Sequence, residues 1–195
     1  MNKPLTTRDK VIEAMYHLVA EVGYDKSSIN KIAQIVGIQK PSVYYYFESK
    51  ESIFLEVLAG LYPLAKLIED QKIVNSTDKG DFHQQLINLG YSIIETYRND
   101  TERRLVLAEL DIQAQRIPSV WEQKAHLDQE NIEAWQTILQ HGKDIGAFPS
   151  SFDVEVNAQM FFVMSAGISY SVANKGAIDS KTIWKNIVNS LFVGE

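Results

Sequence analysis

The sequence of 195 residues contains no cysteine. This absence excludes disulfides, thiolate metal sites and a cysteine nucleophile, and it agrees with a location in the cytoplasm. The chain also lacks an uncharged apolar run of 18 residues, and its first ten residues contain no apolar signal core. Neither a membrane-spanning helix nor a secretory signal is therefore expected, and we expect a cytoplasmic protein that makes no membrane contact.

Strand-like alternation of apolar and polar residues is also lacking, and helical spacing dominates. Apolar side chains recur at intervals of three and four between residues 7 and 22, and Gly23 then ends that helix. Similar patterns with polar or glycine breaks predict nine helices, at about 7–22, 28–36, 39–46, 50–73, 82–98, 102–115, 119–146, 153–174 and 180–193. We predict an all-α protein with a three-helix head at residues 1–49 and a larger helical body at residues 50–195.

The net charge of −6 is unevenly distributed along the chain. Residues 1–50 hold seven basic and five acidic side chains, a net of +2, whereas the remainder holds 12 basic and 20 acidic ones, a net of −8. A mildly basic N-terminal part on an acidic body is the distribution expected if only the first part contacts phosphates.

Residues 23–54 carry the most informative pattern, two short helices joined by a tight turn at Gly37. In a helix-turn-helix the first helix supports the second, whose N-terminal residues enter the major groove of DNA. The packing positions hold small or apolar residues, namely Ile32, Ala33, Val36, Ile38 and Val43. The remaining positions of the second helix are suited to base edges and phosphates. They are Gln39, Lys40, Pro41, Ser42, Tyr44 and Tyr45.

This segment resembles the TetR family of transcriptional repressors. The resemblance rests on the pair Ile32–Ala33, the turn Gly37–Ile38, the aromatic run Tyr44–Phe47 and the following Ser49–Glu51. It implies that Gln39, Lys40 and Tyr45 face the groove and that Ser42 and Tyr44 contact phosphates. It also implies a backbone-contacting lysine at Lys50, and Asn30 at a position from which some members reach a base.

Two residues of the second helix depart from the common family pattern. Gln39 stands where a serine or threonine cap is usual, and Pro41 lies in the first turn, where a missing N–H costs little. We expect these departures to change which operator is read and not whether DNA is bound. In the aromatic run, Phe47 and Tyr46 are expected to pack inward and Tyr44 and Tyr45 to be partly exposed.

In the resemblance, the body holds an effector pocket and the last two helices form a dimer interface. The large apolar residues of the body suit a lipophilic or aromatic effector, although core packing is an alternative for each of them. The predicted pocket residues are Leu58, Leu61, Tyr62, Phe82, Leu86, Tyr91, Trp121, Trp135, Phe161 and Tyr170. A wide apolar stripe and small residues on the terminal helices predict a homodimer with a four-helix interface, and packing within one chain is the alternative. The predicted interface residues are Phe162, Ala166, Tyr170, Ile183, Trp184, Ile187 and Leu191.

These features predict a ligand-responsive regulator that binds double-stranded DNA at a palindromic operator as a homodimer. Repression with release by a small molecule is the favoured reading. An activator is an alternative, since the sign depends on where the operator lies relative to the promoter. A helical adaptor that retains the helix-turn-helix as a scaffold is a second alternative.

An enzyme is not expected, because the four histidines are scattered and no nucleophile elbow, P-loop or Rossmann glycine pattern occurs. Glu122, His126 and Glu130 are four residues apart and share one helix face. A metal site there is an alternative to an ordinary solvated face, and we expect the solvated face. No cofactor and no catalytic residue is expected.

Overall fold

The computed structural model describes residues 4–61, 73–173 and 177–192. Within these ranges the chain forms helices and turns and contains no strand. The α-helices are α1 (Thr7–Val22), α2 (Ile29–Val36), α3 (Lys40–Tyr44), α4 (Lys50–Ala59), α5 (Lys79–Asn99), α6 (Thr101–Ala114), α7 (Pro118–Asp144), α8 (Val154–Ala173) and α9 (Ser180–Leu191). A 3₁₀ turn at Ile73–Asn75 precedes α5. The predicted all-α class with an N-terminal helix-turn-helix is confirmed. The predicted end of the fourth helix, near residue 73, lies mostly outside the described residues.

Local sequence accounts for most helix starts. Thr6 and Asp9 form a capping box at the start of α1, and the Ser28 side chain accepts the Lys31 amide at the start of α2. Ser49 and Ser52 form a second capping box at α4. Each cap gives a partner to a backbone amide that the helix itself leaves unpaired.

The first of two compact units contains residues Met1–Tyr62 and Thr101–Leu127. In it α1 packs against α2, α4 and α6. The core of this unit includes Val11, Met15, Ile32 and Phe54, each of them fully buried. Helix α6 therefore packs against α1 although the 78 residues 23–100 separate the two helices in the chain.

The second compact unit contains residues Pro63–Asp100 and Asp128–Glu195. Here α5 packs against α8 and α9 around an aromatic core. Helix α7 contributes its first residues to the first unit and the rest to the second.

The boundary expected after residue 49, between the head and the body, stays a prediction. No helix within the described ranges is long and apolar enough to cross a membrane.

Candidate nucleic-acid interface

The turn between α2 and α3 depends on a glycine. Gly37 has φ +76° and ψ 32°, the left-handed conformation that a side chain disfavours. Its N–H donates to the carbonyl oxygen of Gln34, and the Ile38 N–H donates to that of Ala33 at 3.0 Å. These bonds end α2 and direct the chain into α3, as in the Schellman type of helix end.

Two buried residues anchor α3. Val43 is fully buried and Phe47, just beyond the helix, is almost fully buried in the core of the first unit. The rest of α3 is exposed, and this exposed surface contains every residue predicted there to face DNA. Its members are Gln39, Lys40, Pro41, Ser42, Tyr44 and Tyr45. Asn30, in the first turn of α2, is exposed as well. Their exposure is compatible with the predicted roles, which stay predictions.

The aromatic run after α3 divides differently from the prediction. Tyr45 is 83% exposed and Tyr44 is exposed, as expected, and Phe47 packs inward. Tyr46 is 38% exposed, so the expectation that it packs inward is wrong. The amides of Phe47 and Tyr46 both donate to the Val43 carbonyl oxygen, but the side chain that enters the core is that of Phe47 and not that of Tyr46. The ring of Tyr46 instead meets the ring of Tyr45 edge to face, with centroids 5.0 Å apart.

The N-terminal end of α3 has little local support from side chains. Gln39 occupies the cap position without a side-chain hydrogen bond, as its weak capping propensity predicts. The Ser42 N–H donates to the Gln39 carbonyl oxygen at 2.9 Å, and the Lys40 ammonium lies 5.9 Å from the centre of the Tyr44 ring. The polar ends of Gln39 and Lys40 are thus left for an external partner.

Lys50 is placed differently from the other predicted DNA contacts. Its ammonium donates to the carbonyl oxygens of Tyr24 at 3.0 Å and Ser27 at 3.4 Å, and it lies 3.9 Å from the centre of the Tyr24 ring. Burial lowers the pKa of Lys50, and the charges of Asp25 and Glu109 act in the opposite direction. Lys50 is therefore engaged within the protein, whereas Lys40 is exposed.

Arg8 lies next to this surface, which the sequence did not indicate. Its guanidinium forms an ion pair with Glu56 and lies 5.1 Å from the centre of the Phe47 ring. Arg8 thus connects the start of α1 to the end of α3 and to α4. No local pattern signals this contact, because 39 and 48 residues separate Arg8 from its partners.

Helix α6 and the start of α7 contact the head through polar groups. His17 Nδ1 lies 2.9 Å from a carboxylate oxygen of Glu102, and Arg116 pairs with Asp25 at 3.3 Å. The Ser119 hydroxyl also donates to Glu51. These contacts supplement the apolar packing of α1 against α6 within the first unit.

The predicted pocket residues are divided between the two cores and the surface. Leu58 and Leu61 are buried in the first unit, and Phe82, Leu86, Trp135 and Phe161 are buried in the second. Tyr91 is partly buried, whereas Trp121 is 60% and Tyr170 73% exposed. Tyr62 lies outside the described residues. The pocket assignment stays a prediction.

An open cleft of about 720 Å³ lies on the second unit. Its lining residues are Val74, Glu133, Gln136, Thr137, Gln140, His141, Asp144, Val154 and Glu155. None of the predicted pocket residues is among them. The cleft is rich in carboxylates, so it is poorly suited to an anionic ligand.

The terminal helices expose an apolar face. Along α8 the exposed residues Val156, Met160, Val163 and Tyr170 follow helical spacing, and Ala166 and Gly167 lie on the same side. Of the other predicted interface residues, Ile183 is exposed, and Phe162, Ile187 and Leu191 are partly buried.

Trp184 is a correction to the predicted interface. It is 1% exposed, and its indole N–H donates to the carbonyl oxygen of Leu86 at 3.1 Å. Its ring packs against Trp135 and Phe161, with centroid distances of 5.9 and 5.5 Å. Trp184 is therefore a core residue of the protomer.

Across the described ranges, no group of three or more His, Asp or Glu side chains is arranged to hold a metal ion.

Comparison with known proteins agrees with this geometry. The sequence profile of "Bacterial regulatory proteins, tetR family" matches residues 11–57. The HTH-type transcriptional regulator YdgC of Bacillus subtilis is 23% identical over 99% of this chain and 94% of its own. IcaR of Staphylococcus aureus, a negative transcriptional regulator of a biofilm operon, is 45% identical over 47 residues, a quarter of each chain.

A similar fold occurs in the solved structure of the fatty acid degradation regulator FadR from Bacillus halodurans. It aligns with a TM-score of 0.75 and 20% identity, covering 99% of this chain and 98% of FadR. The profile match covers the helices that present α3, and the structural match extends the fold to the rest of the chain. The helix-turn-helix at residues 11–57 is thus that of the TetR family of transcriptional regulators, and the whole chain has a fold similar to theirs.

Proposed function

We propose that the protein is a repressor that binds a palindromic operator as a homodimer and is released by a small lipophilic or aromatic effector. The observation that carries this proposal is the surface of α3. Six side chains suited to DNA are exposed on α3 and at its two cap positions, and the anchor of this helix, Val43, is completely buried. Recognition of base edges requires exposed side chains on a rigidly held helix, because hydrogen bonds to bases tolerate little displacement.

Each side chain of this surface has a role that its chemistry favours. The Gln39 amide can bond a base edge, and the Lys40 ammonium a phosphate or guanine. Ser42 and Tyr44 provide hydroxyls for phosphate oxygens, and the ring of Pro41 fits a thymine methyl group. We assign Tyr45 to the groove and Asn30 to a base reached from α2.

The exposed apolar face of α8 supports the homodimer. A stripe from Val156 to Tyr170 is a large apolar surface for a protomer to leave in water, and a second copy would cover it. Two copies of α8 and α9 would then form a four-helix interface about a two-fold axis. Two heads related by that axis read two half-sites, which predicts a palindrome with half-sites about 34–36 Å apart or a multiple of that distance.

Release by an effector requires that the ligand bind one state of the dimer better than another. A ligand that binds more tightly to the dimer with separated heads shifts the population toward that state. Operator affinity then falls in proportion to the ligand's preference for that state. The aromatic core of the second unit, with Phe82, Trp135 and Phe161, supports a lipophilic or aromatic effector. The negative regulator IcaR supports repression, and FadR, a regulator of fatty acid degradation, supports the inclusion of fatty acids among the compounds to test.

Selection of bound sequences from a random DNA pool tests DNA recognition. Wild-type protein is expected to enrich one palindromic site, and the Lys40→Ala/Tyr44→Phe double variant is expected not to. Lys185→Ala is the matched control, because Lys185 is an exposed lysine on α9, remote in sequence from the head. If the double variant enriches the same site as wild type, α3 is not the reading helix.

A thermal-shift panel tests the effector class. Fatty acids, flat aromatic compounds and phosphorylated sugars are added separately while the melting temperature is followed, since a ligand bound to the folded state raises it. The proposal predicts a rise with members of the first two classes only, together with loss of operator binding. Stabilisation by the sugars alone would contradict the lipophilic effector.

A further inference from the structure

Lys50 forms a compact site for its ammonium group within the first unit. Two carbonyl oxygens of the α1–α2 turn accept its N–H groups, at 3.0 Å from Tyr24 and 3.4 Å from Ser27. The Tyr24 ring supplies a cation–π contact at 3.9 Å, well within the usual limit of about 6 Å. Three contacts from one turn therefore converge on the first residue of α4.

The turn that holds Lys50 is itself part of the core. Tyr24 and Ser27 are buried, and the Tyr24 ring packs against Phe54 of α4 with centroids 4.7 Å apart. The Ser27 hydroxyl and N–H both donate to the Tyr24 carbonyl oxygen. Since Ser28, the cap of α2, follows directly, the position of this turn sets where α2 begins.

The charges around Lys50 disfavour a phosphate. Asp25 and Glu109 act on its ammonium, and Glu51 acts with Asp25 on the neighbouring Tyr24. These negative charges oppose the approach of a phosphate, which would also have to replace two carbonyl hydrogen bonds. Lys40 has no such obstacle, because it is exposed on α3.

We propose that Lys50 is a positioning residue for operator reading: it fixes the α1–α2 turn to the start of α4 and does not contact the DNA backbone. The connection sets the orientation of α2, and through the Gly37 turn that of α3, relative to α4. This proposal revises the role that the family resemblance implies for Lys50. It relies on the proposed operator binding for its functional readout.

Salt dependence separates positioning from phosphate contact. The logarithm of operator affinity falls with the logarithm of salt concentration, with a slope of about −0.9 for each phosphate neutralised. Lys50→Met is expected to lower specific affinity at least about tenfold while changing the slope by less than about 0.3. Its binding to random DNA at low salt is expected to equal that of wild type. Lys40→Ala, the matched lysine variant, is expected to make the slope less steep by about 0.9.

Lys50→Arg provides the conservative comparison. A guanidinium is planar and larger than an ammonium, so its N–H groups cannot reproduce the geometry of the Lys50 ammonium between two carbonyls and a ring, yet it binds phosphate at least as well. We expect Lys50→Arg to remain defective in specific binding. Recovery of affinity by arginine, or a slope reduced by about 0.9 in Lys50→Met, would overturn the proposal. A joint loss of specific and random-DNA binding with an unchanged circular dichroism spectrum would also overturn it, because a phosphate contact strengthens binding to any sequence.

Hydrogen exchange tests the connection without DNA. The Ser27 amide, which donates to the Tyr24 carbonyl oxygen at 3.0 Å, is expected to exchange at least about tenfold faster in Lys50→Met and to be unchanged in Lys40→Ala. Equal exchange in all three proteins would contradict the role of Lys50. If instead wild type selects no operator, the proposed function fails, and the exchange result still decides whether Lys50 holds the turn.

Discussion

The indole of Trp184 on α9 occupies the space in which a side chain at Gly90 of α5 would lie. Its N–H donates to the carbonyl oxygen of Leu86, one turn earlier on the same helix. The two helices therefore meet through an aromatic ring placed directly against a glycine backbone. Gly90 is required here for close approach and not for an unusual backbone angle, because it lies within α5.

Gly90→Ala is expected to destabilise the second unit. The added methyl group overlaps a fully buried and hydrogen-bonded ring, and overpacking of this kind costs about 1–3 kcal/mol. The gain in helix propensity offsets about 1 kcal/mol of that cost. Urea unfolding followed by tryptophan fluorescence measures the change, since Trp135 and Trp184 lie in this core.

The Trp184→Leu background is the control for this prediction. A leucine leaves room for the methyl group, so Gly90→Ala should cost at least about 1 kcal/mol less there than in wild type. Equal losses of stability in the two backgrounds would show that the Trp184 ring does not require a glycine at position 90.

Local signals predicted the helix starts and the helix-turn-helix, because caps and left-handed glycines act within a few residues. Gly37 takes the role that the sequence indicated, and the serines Ser28 and Ser49 cap α2 and α4. The pattern of α9 did not reveal which apolar residues face the protomer's own core. Ile183 and Trp184 are adjacent in a wide stripe, and the structure exposes the first and buries the second.

The role of Lys50 was hidden from the sequence for a different reason. Its carbonyl partners lie 26 and 23 residues earlier, and they are backbone atoms, which no residue pattern identifies. The family resemblance implied a DNA-backbone contact for Lys50, but it carried no information about the contacts that Lys50 makes within this protein. The exposed surface of α3, in contrast, follows from periodicity, because one short helix with a buried Val43 leaves its other sides to solvent.

Tyr45→Ala is expected to separate DNA binding from stability. Tyr45 is 83% exposed, so its removal should change the free energy of unfolding by no more than about 0.5 kcal/mol. Loss of a groove contact should weaken binding to the selected operator by about 1–3 kcal/mol, measured by fluorescence anisotropy. Val43→Ala is the contrasting variant, because removal of a fully buried side chain should cost about 2 kcal/mol of stability. Unchanged operator affinity in Tyr45→Ala would remove Tyr45 from the interface.

Ala166→Glu is expected to disrupt the proposed homodimer. Ala166 lies on the exposed apolar face of α8, and two buried carboxylates across a two-fold axis would repel each other. Sedimentation velocity should show a monomer with a normal helical circular dichroism spectrum, and specific operator affinity should fall. Ala125→Glu is the matched control, since Ala125 is an exposed alanine on α7, and it should sediment as wild type does. A dimeric Ala166→Glu protein would place the interface elsewhere.

The start of α9 is expected to make stability depend on pH. Hydrogen bonds from the Thr182 hydroxyl and backbone amide hold the pKa of Asp179 below its ordinary value of 3.8. The carboxylate thus binds fewer protons in the folded state than in the unfolded state, so stability increases with pH in this range. The contribution of Asp179 is complete above about pH 5 and is lost as the pH falls through the folded pKa.

Asp179→Asn isolates this contribution, because asparagine is also a good helix cap but does not titrate. Urea unfolding of the second unit is measured by tryptophan fluorescence at several values between about pH 3 and 7. Wild type should be the more stable protein near neutral pH, and the difference should shrink as the pH falls below about 4. Thr182→Val removes the hydroxyl donor and should weaken the pH dependence in the same direction. Parallel curves for wild type and Asp179→Asn would show that the cap functions without its charge.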